Sequence, residues 1–188
     1  EGEGEGEGEG EGEGEGEGEG EVDPDAPVIT LLGAAEIELE CGQLYEDAGA
    51  TALDDEDGNL TESLVRSGTV TVATTGTYTI SYNVIDSDGN QASQVSRTVV
   101  VVDTTPPTIN LVGPASVTQS CGSPFVDLGA TGIDVCDGTL TPVVTGQILV
   151  ATTGTYTIEY TVTDGAGLSA SVSRTVIVQD DSGPNITL

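Results

Sequence analysis

The strongest constraint on this chain is that its body is written twice. "PVITLLGAAEIELECGQLYEDAGATALDDEDGNLT", from Pro27, is answered by "PTINLVGPASVTQSCGSPFVDLGATGIDVCDGTLT", from Pro107. "VATTGTYTISYNVIDSDGNQASQVSRTVVVVD" (72–103) is answered by "VATTGTYTIEYTVTDGAGLSASVSRTVIVQD" (150–180). A period of about 80 residues means one folded unit used twice. Small deletions between the copies fall between apolar runs, which marks loops. The expected division is a Glu-Gly segment at 1–22, one unit at 23–104, a second at 105–181, and a seven-residue tail at 182–188. The tail "PNITL" repeats the opening words "PVITL" and "PTINL". It reads as the first strand of a third unit, from a longer array or exchanged with a neighbouring molecule.

Within each unit the pattern is that of strands. In "TYTISYNVI", Tyr78, Ile80, Tyr82 and Val84 alternate with Thr79, Ser81 and Asn83, and period two gives a strand one buried and one wet face. Val, Thr, Ile and Tyr dominate, with Gly, Asp and Asn between the runs. "DSDGN" (86–90) suits a hairpin turn, because Asp-Gly tolerates positive φ. The prolines of "DTTPP" (103–107) cannot join a central ladder and make a short, stiff linker. The expected class is all-β: two tandem antiparallel sandwiches after a low-complexity segment.

The stretches "DAGATALDDEDGNLT", "GTYTISYNVIDSDGN" and "SRTVVVVDTTPPTINL", with their second-copy partners, resemble the immunoglobulin-like repeats of bacterial surface and secreted proteins. The resemblance covers residue 25 onward. It implies an extracellular, rod-forming module of the kind used as spacers, adhesin stalks and accessory domains. The cysteine pair of the second copy is similar to that of hyalin-type repeats.

Charge excludes whole classes of partner. There are 33 acidic residues against three arginines, no Lys and no His, for a net charge of −30. Three arginines cannot neutralise a run of phosphates, so nucleic acid is excluded as a partner, and anionic membrane surfaces are disfavoured. No apolar run reaches the roughly 20 residues of a membrane span. Cations are the natural small partners. Catalysis has little support: there is no His or Lys, no G-x-S-x-G, and no glycine-rich cofactor loop between a strand and a helix.

Three cysteines occupy informative places. Cys41 and Cys121 match between copies, while Cys136 faces Glu56 in the alignment. The expectation is a Cys121–Cys136 bridge inside the second unit, closing a short loop and contributing about 3 kcal/mol in an oxidising compartment. That leaves Cys41 as a buried thiol or as a bond to another chain.

Two sets of polar residues are site candidates. Asp54, Asp55 and Asp57 in "LDDEDGN", Asp86 and Asp88 in "IDSDGN", and Asp103 at the linker supply the hard oxygens that Ca²⁺ requires. The competing reading is ordinary turn capping. Copy two keeps Asp134, Asp137 and Asp164 but reads "TDGAGL", so copy one has the better ligand set. Arg97 and Arg174, each in "SRTV", share strand parity with inward valines. Each wants a carboxylate at the core edge: Asp47 and Asp127, or Asp54 and Asp134. Asn59-Leu60-Thr61 and Asn185-Ile186-Thr187 allow glycosylation.

In extended form the Glu-Gly run would place all its Glu on one face, about 6.8 Å apart. An isolated chain has nothing local to offset that repulsion and the glycine entropy. Packed Gly faces and neutralised Glu rows in a fibre-like assembly would. The functional expectation is therefore a non-enzymatic structural protein at the cell surface, part of a filament or repeat-built rod that self-associates. The alternatives are a calcium-dependent adhesin or glycan-binding stalk, and the spacer of a secreted hydrolase.

Overall fold

The computed structural model describes residues 25–181 and Gly183. The Glu-Gly run at 1–22, and all of 182–188 except Gly183, lie outside the described residues. The first unit is built from β1 (Val28–Leu31), β2 (Glu36–Glu40), β3 (Ala50–Asp54), β4 (Gly58–Asn59), β5 (Val65–Ser67), β6 (Gly76–Asn83) and β7 (Val95–Val102). The second repeats the plan with β8 (Thr108–Leu111), β9 (Ser116–Ser120), β10 (Ala130–Asp134), β11 (Gly138–Leu140), β12 (Val143–Thr145), β13 (Gly154–Thr163) and β14 (Ser169–Gln179). Each unit packs a three-stranded sheet (β1-β3-β4; β8-β10-β11) against a four-stranded one (β2-β7-β6-β5; β9-β14-β13-β12). The chain is all-β, two tandem Ig-like sandwiches. A single 3-10 turn, Thr61–Ser63, is the one helical element among the described residues.

The alternation read from sequence sets the core. Ile80, Tyr82 and Val84 are buried beside Arg97, Val99 and Val101, and Ile29, Ala50 and Ala52 meet them from the other sheet. The cross-strand register is Tyr78↔Val99, Ile80↔Arg97 and Tyr82↔Val95. Ile158, Tyr160, Val176 and Val178 form the second core. Each fully buried aliphatic side chain contributes about 1.5–3 kcal/mol.

One feature departs from a purely antiparallel sandwich. The opening strand of each unit breaks in two. β1 pairs antiparallel with β3, but β2 lies parallel to β7 in the opposite sheet. β8 and β9 do the same with β10 and β14. The break falls at Gly33 (φ 78°) and Gly113 (φ 89°), a conformation that a Cβ would strain. Because the chain crosses over without reversing, its second half must run parallel to the last strand.

Around the crossing, a buried arginine donates to backbone carbonyls, those of Leu32 and Ala34 on the crossing strand and that of Gly49, which also accepts from Leu32 N. Arg97 is 0% exposed. Its Nε donates to Ala34 O at 2.9 Å, and its Nη2 donates to Leu32 O and to Gly49 O at 3.3 Å. Its Nη1 donates to Asp47, which also accepts from the Tyr82 hydroxyl at 2.6 Å and from Arg66 Nε at 2.7 Å. The second unit repeats the node. Arg174 donates to Pro114 O (3.1 Å), Val112 O (2.6 Å), Gly129 O (3.2 Å) and Asp127, and lies over the Tyr160 ring at 5.6 Å. The arginines therefore sit in the core rather than at its edge. Asp54 and Asp134 take no part. Their Oδ1 atoms accept turn amides, from Glu56 and Asp57 and from Cys136 and Asp137 respectively.

Burial opposes ionisation of Asp47, but hydrogen bonds from Tyr82, Arg66 and Gly49 and the charge of Arg97 outweigh it and bring its pKa down to about 2. Burial and the adjacent Asp47 push Tyr82 up to about 12, and burial with Asp127 does the same to Tyr160. A lowered carboxylate stabilises the fold above its unfolded value of 3.8 and loses that contribution as pH falls toward about 2. A raised tyrosine stabilises below pH 10 and loses its contribution as pH rises toward about 12. Melting temperature against pH is therefore expected to fall steeply in both windows. Asp47→Ala strands the Arg97 charge in the core and is expected to cost about 3–5 kcal/mol in urea unfolding.

Candidate functional site

The two units meet where the last strand of the first hands over to the linker. β7 ends at Val102, and Asp103 leads into Thr104 and Thr105 before the buried Pro107. Glu40, at the end of β2, reaches across to this turn. Its carboxylate accepts from Thr104 N (2.9 Å), Thr104 Oγ1 (2.7 Å) and Thr105 Oγ1 (2.8 Å). These bonds, that of the Thr104 amide foremost, hold its pKa below the usual carboxylate range. The linker is thus fastened to the first unit before the second begins.

Facing it is the β10–β11 turn of the second unit, and here the structure corrects the sequence-based pairing. Cys136 is bonded to Cys41, not to Cys121, and Cys121 is the free thiol. The reason is geometric. Cys121 follows β9 and donates its amide to Gln179 O, at the end of β14. Cys136 sits by the turn that precedes β14, where Asp137 accepts from Gly165 N. The 11 residues of β14 separate them by roughly 30 Å, against the ~7 Å limit for a disulfide. Cys41 holds in the first unit the place of Cys121 in the second, and that place abuts the next unit. Its Cα lies 5.8 Å from that of Cys136. Both readings of Cys41, a buried free thiol and a bond to another chain, are replaced by this bridge. Gly42 seals the contact: at φ 79° it has no Cβ, and one there would lie 2.5 Å from Val135 Cγ1.

Between the units is a cleft of about 490 Å³ lined by Thr74, Val102, Asp103, Cys136, Asp137 and Gly165 among others. Carboxylate oxygens of Asp103, Asp137 and Asp164 come within 4.8 Å of one another there. Asp137 Oδ2 accepts from Gly165 N at 2.6 Å, and Asp164 Oδ1 from Leu168 N at 2.7 Å. Burial, and the nearby charges of Asp134, Asp164 and Glu40, push Asp103 up, against the pull of the Thr105 amide.

The six metal candidates read from sequence are therefore split. Asp54, Asp86 and Asp88 surround a smaller cleft with Asp25, Glu56 and Asn90 at the far end of the first unit. Asp55 is exposed in the same turn. Asp57 is turned to Ser87, accepting from its N (2.7 Å) and Oγ (2.9 Å). Asp103 lies at the other end of β7, roughly 25 Å away, and its neighbours are the second-copy acids that sequence ranked lower. The second copy's turn faces the linker between the units, and the first copy's turn faces Asp25, in the segment that leads into β1.

A family model described as "Bacterial surface protein, Ig-like domain" matches residues 29–101 and again 109–178. Among solved structures, a lipoprotein from Bacteroides thetaiotaomicron is similar at 18% identity and TM-score 0.39, covering 78% of this chain and 98% of its own. Fibronectin(III)-like modules of Clostridium thermocellum CbhA are similar at 18% identity and TM-score 0.34, covering 85% of this chain and all of theirs. The M60 catalytic domain with CBM51 domains of Clostridium perfringens ZmpB follows at 15% and 0.38, covering 82% of this chain and 31% of its own. No curated protein sequence matches.

The cysteine arrangement has a direct check. Thiol titration of the unreduced, denatured protein is expected to find one free thiol. Peptide mapping is expected to join the Cys41 and Cys136 peptides and to place the label on Cys121.

Proposed function

Because the chain belongs to the bacterial surface Ig-like domain family, we propose that it is a structural segment of a cell-surface rod, whose units are locked end to end rather than hinged. The Cys41–Cys136 bridge between units carries this reading. A bridge closing a loop of 95 residues contributes about 4–5 kcal/mol on the chain-entropy account. In a chain whose units each own a core, that constraint acts mainly on the angle between them. The Glu40 clamp on Thr104 and Thr105 supports the same role. Cys121, at the far end of the second unit, occupies the position Cys41 holds at the junction. The same link, repeated to a following unit, would continue the rod into a filament.

The aromatic side chains favour this over glycan binding. Tyr82 and Tyr160 are buried at the arginine nodes. Tyr78 and Tyr156 donate to Thr74 O and Thr152 O, Tyr45 donates to Asp47, and Phe125 packs on the second core. None of the five Tyr or the one Phe is fully exposed, which disfavours an aromatic platform for a sugar ring.

Small-angle scattering of the chain tests the reading. The native protein is expected to keep one extended arrangement of its two units. Cys136→Ser is expected to keep both units folded while broadening the distribution of their angles. A native protein that already samples a broad range of angles overturns it.

A further inference from the structure

We propose that the carboxylates of Asp103, Asp137 and Asp164 form a divalent-cation site at the domain junction, with Ca²⁺ the ion that fits. Asp164 is 7% exposed, and its Oδ2 is buried with no hydrogen-bond partner. Its Oδ1 is already taken by the Leu168 amide, so Oδ2 is the acceptor left over. A buried carboxylate oxygen without a donor calls for a ligand.

The rest of the molecule offers no cation to meet it. The whole chain has three arginines, no Lys and no His. Arg66 and Arg97 are bound to Asp47, and Arg174 to Asp127. Asp103, Asp134, Asp137 and Asp164 therefore share one end of the second unit with no basic side chain left to balance them.

The donor set selects the ion. Cys136 lies beside Asp103 and Asp134, but its sulfur is in the disulfide and cannot serve as a thiolate. Only hard oxygen ligands remain, which suit Ca²⁺ or Mg²⁺ over zinc or copper. Two ligands on one Ca²⁺, each 2.3–2.6 Å from it, stand at most about 5 Å apart, and on Mg²⁺ about 4.2 Å. The Asp103, Asp137 and Asp164 oxygens, all within 4.8 Å of one another, can share one such ion, and because Mg²⁺ keeps most of its water and is seldom held by protein carboxylates alone, Ca²⁺ is the better match. Backbone carbonyls and water in the adjoining cleft would complete it. Asp103 belongs to the linker and the other two to the second unit, so a bound ion would tie the linker to that unit as Glu40 ties it to the first. The site stands whether or not the rod reading does.

The test is an amide NMR titration of the chelator-treated full chain with CaCl₂, in which the Glu-Gly run and the Asp54/Asp86/Asp88 end report separately. Saturating shifts at Asp103, Asp137 and Gly165 are expected at about 0.1–1 mM, the range of extracellular calcium modules. Asp164→Asn keeps the Oδ1 acceptor for Leu168, and Asp103→Asn changes only a linker side chain. Each is expected to weaken the junction response by about tenfold or more, and Asp86→Asn is expected to leave it unchanged. Three results would overturn the proposal: no junction shifts up to about 10 mM, shifts confined to the Glu-Gly run or the far cleft, or an undiminished response in Asp103→Asn. If Asp164→Asn does not fold, Asp103→Asn alone decides.

Discussion

The fold depends on one arrangement: a guanidinium in the core that holds the carbonyls of a strand changing sheets. The opening strand must leave the β3 side and rejoin beside β7, and every strand partner it gives up in crossing is a polar group facing an apolar interior. Arg97 answers Leu32, Ala34 and Gly49 together. Lysine could not, since a compact ammonium lacks the planar fork of donors. The charge so introduced must be balanced, and Asp47 does that while holding Tyr82. The chain keeps almost no other basic residues, and two of its three arginines sit at these nodes. Their recurrence in both units says that the sheet crossing and the buried pair are one device.

What could be read in the sequence follows from how local each signal is. Alternation in "TYTISYNVI" needs only the pleat of one strand, and the buried Ile80, Tyr82 and Val84 follow from it. The repeat gave two sandwiches because two copies of one pattern cannot form different folds. The parallel β2–β7 pair was invisible, because direction within a sheet is set by where a broken strand lands, and Gly33 reads as any turn glycine. The arginine nodes were half visible: parity placed Arg97 inward, while its three carbonyl partners have no side-chain signature at all.

The cysteines failed for a related reason. Matching Cys121 with Cys136 assumed that two cysteines in one repeat share one end of it. They lie at opposite ends of β14, and Cys136 faces the first unit. In a linear array, a cysteine at the leading end of one unit is near the trailing end of the one before, however far apart they stand in sequence. The alignment alone did not decide between the pairings. Cys41 has a counterpart in Cys121, whereas Cys136 faces Glu56, a pattern that fits a staggered bond between units as well as an internal bridge.

Charge then links the core to the surface. With the arginines held at Asp47 and Asp127, the acids at the ends of the units are left to solvent and to whatever cations it carries. An acidic end cannot meet another acidic surface without cost: at an effective dielectric of about 20, two carboxylates 5 Å apart repel by about 3 kcal/mol. The junction has two remedies for this. A covalent bond holds Cys41 to Cys136 whatever the charge, and Glu40 is directed to the neutral hydroxyls and amide of Thr104 and Thr105 rather than toward the carboxylates. Asp164 Oδ2 is the group that neither remedy reaches. It is the carboxylate oxygen at this end-to-end contact that no protein donor reaches.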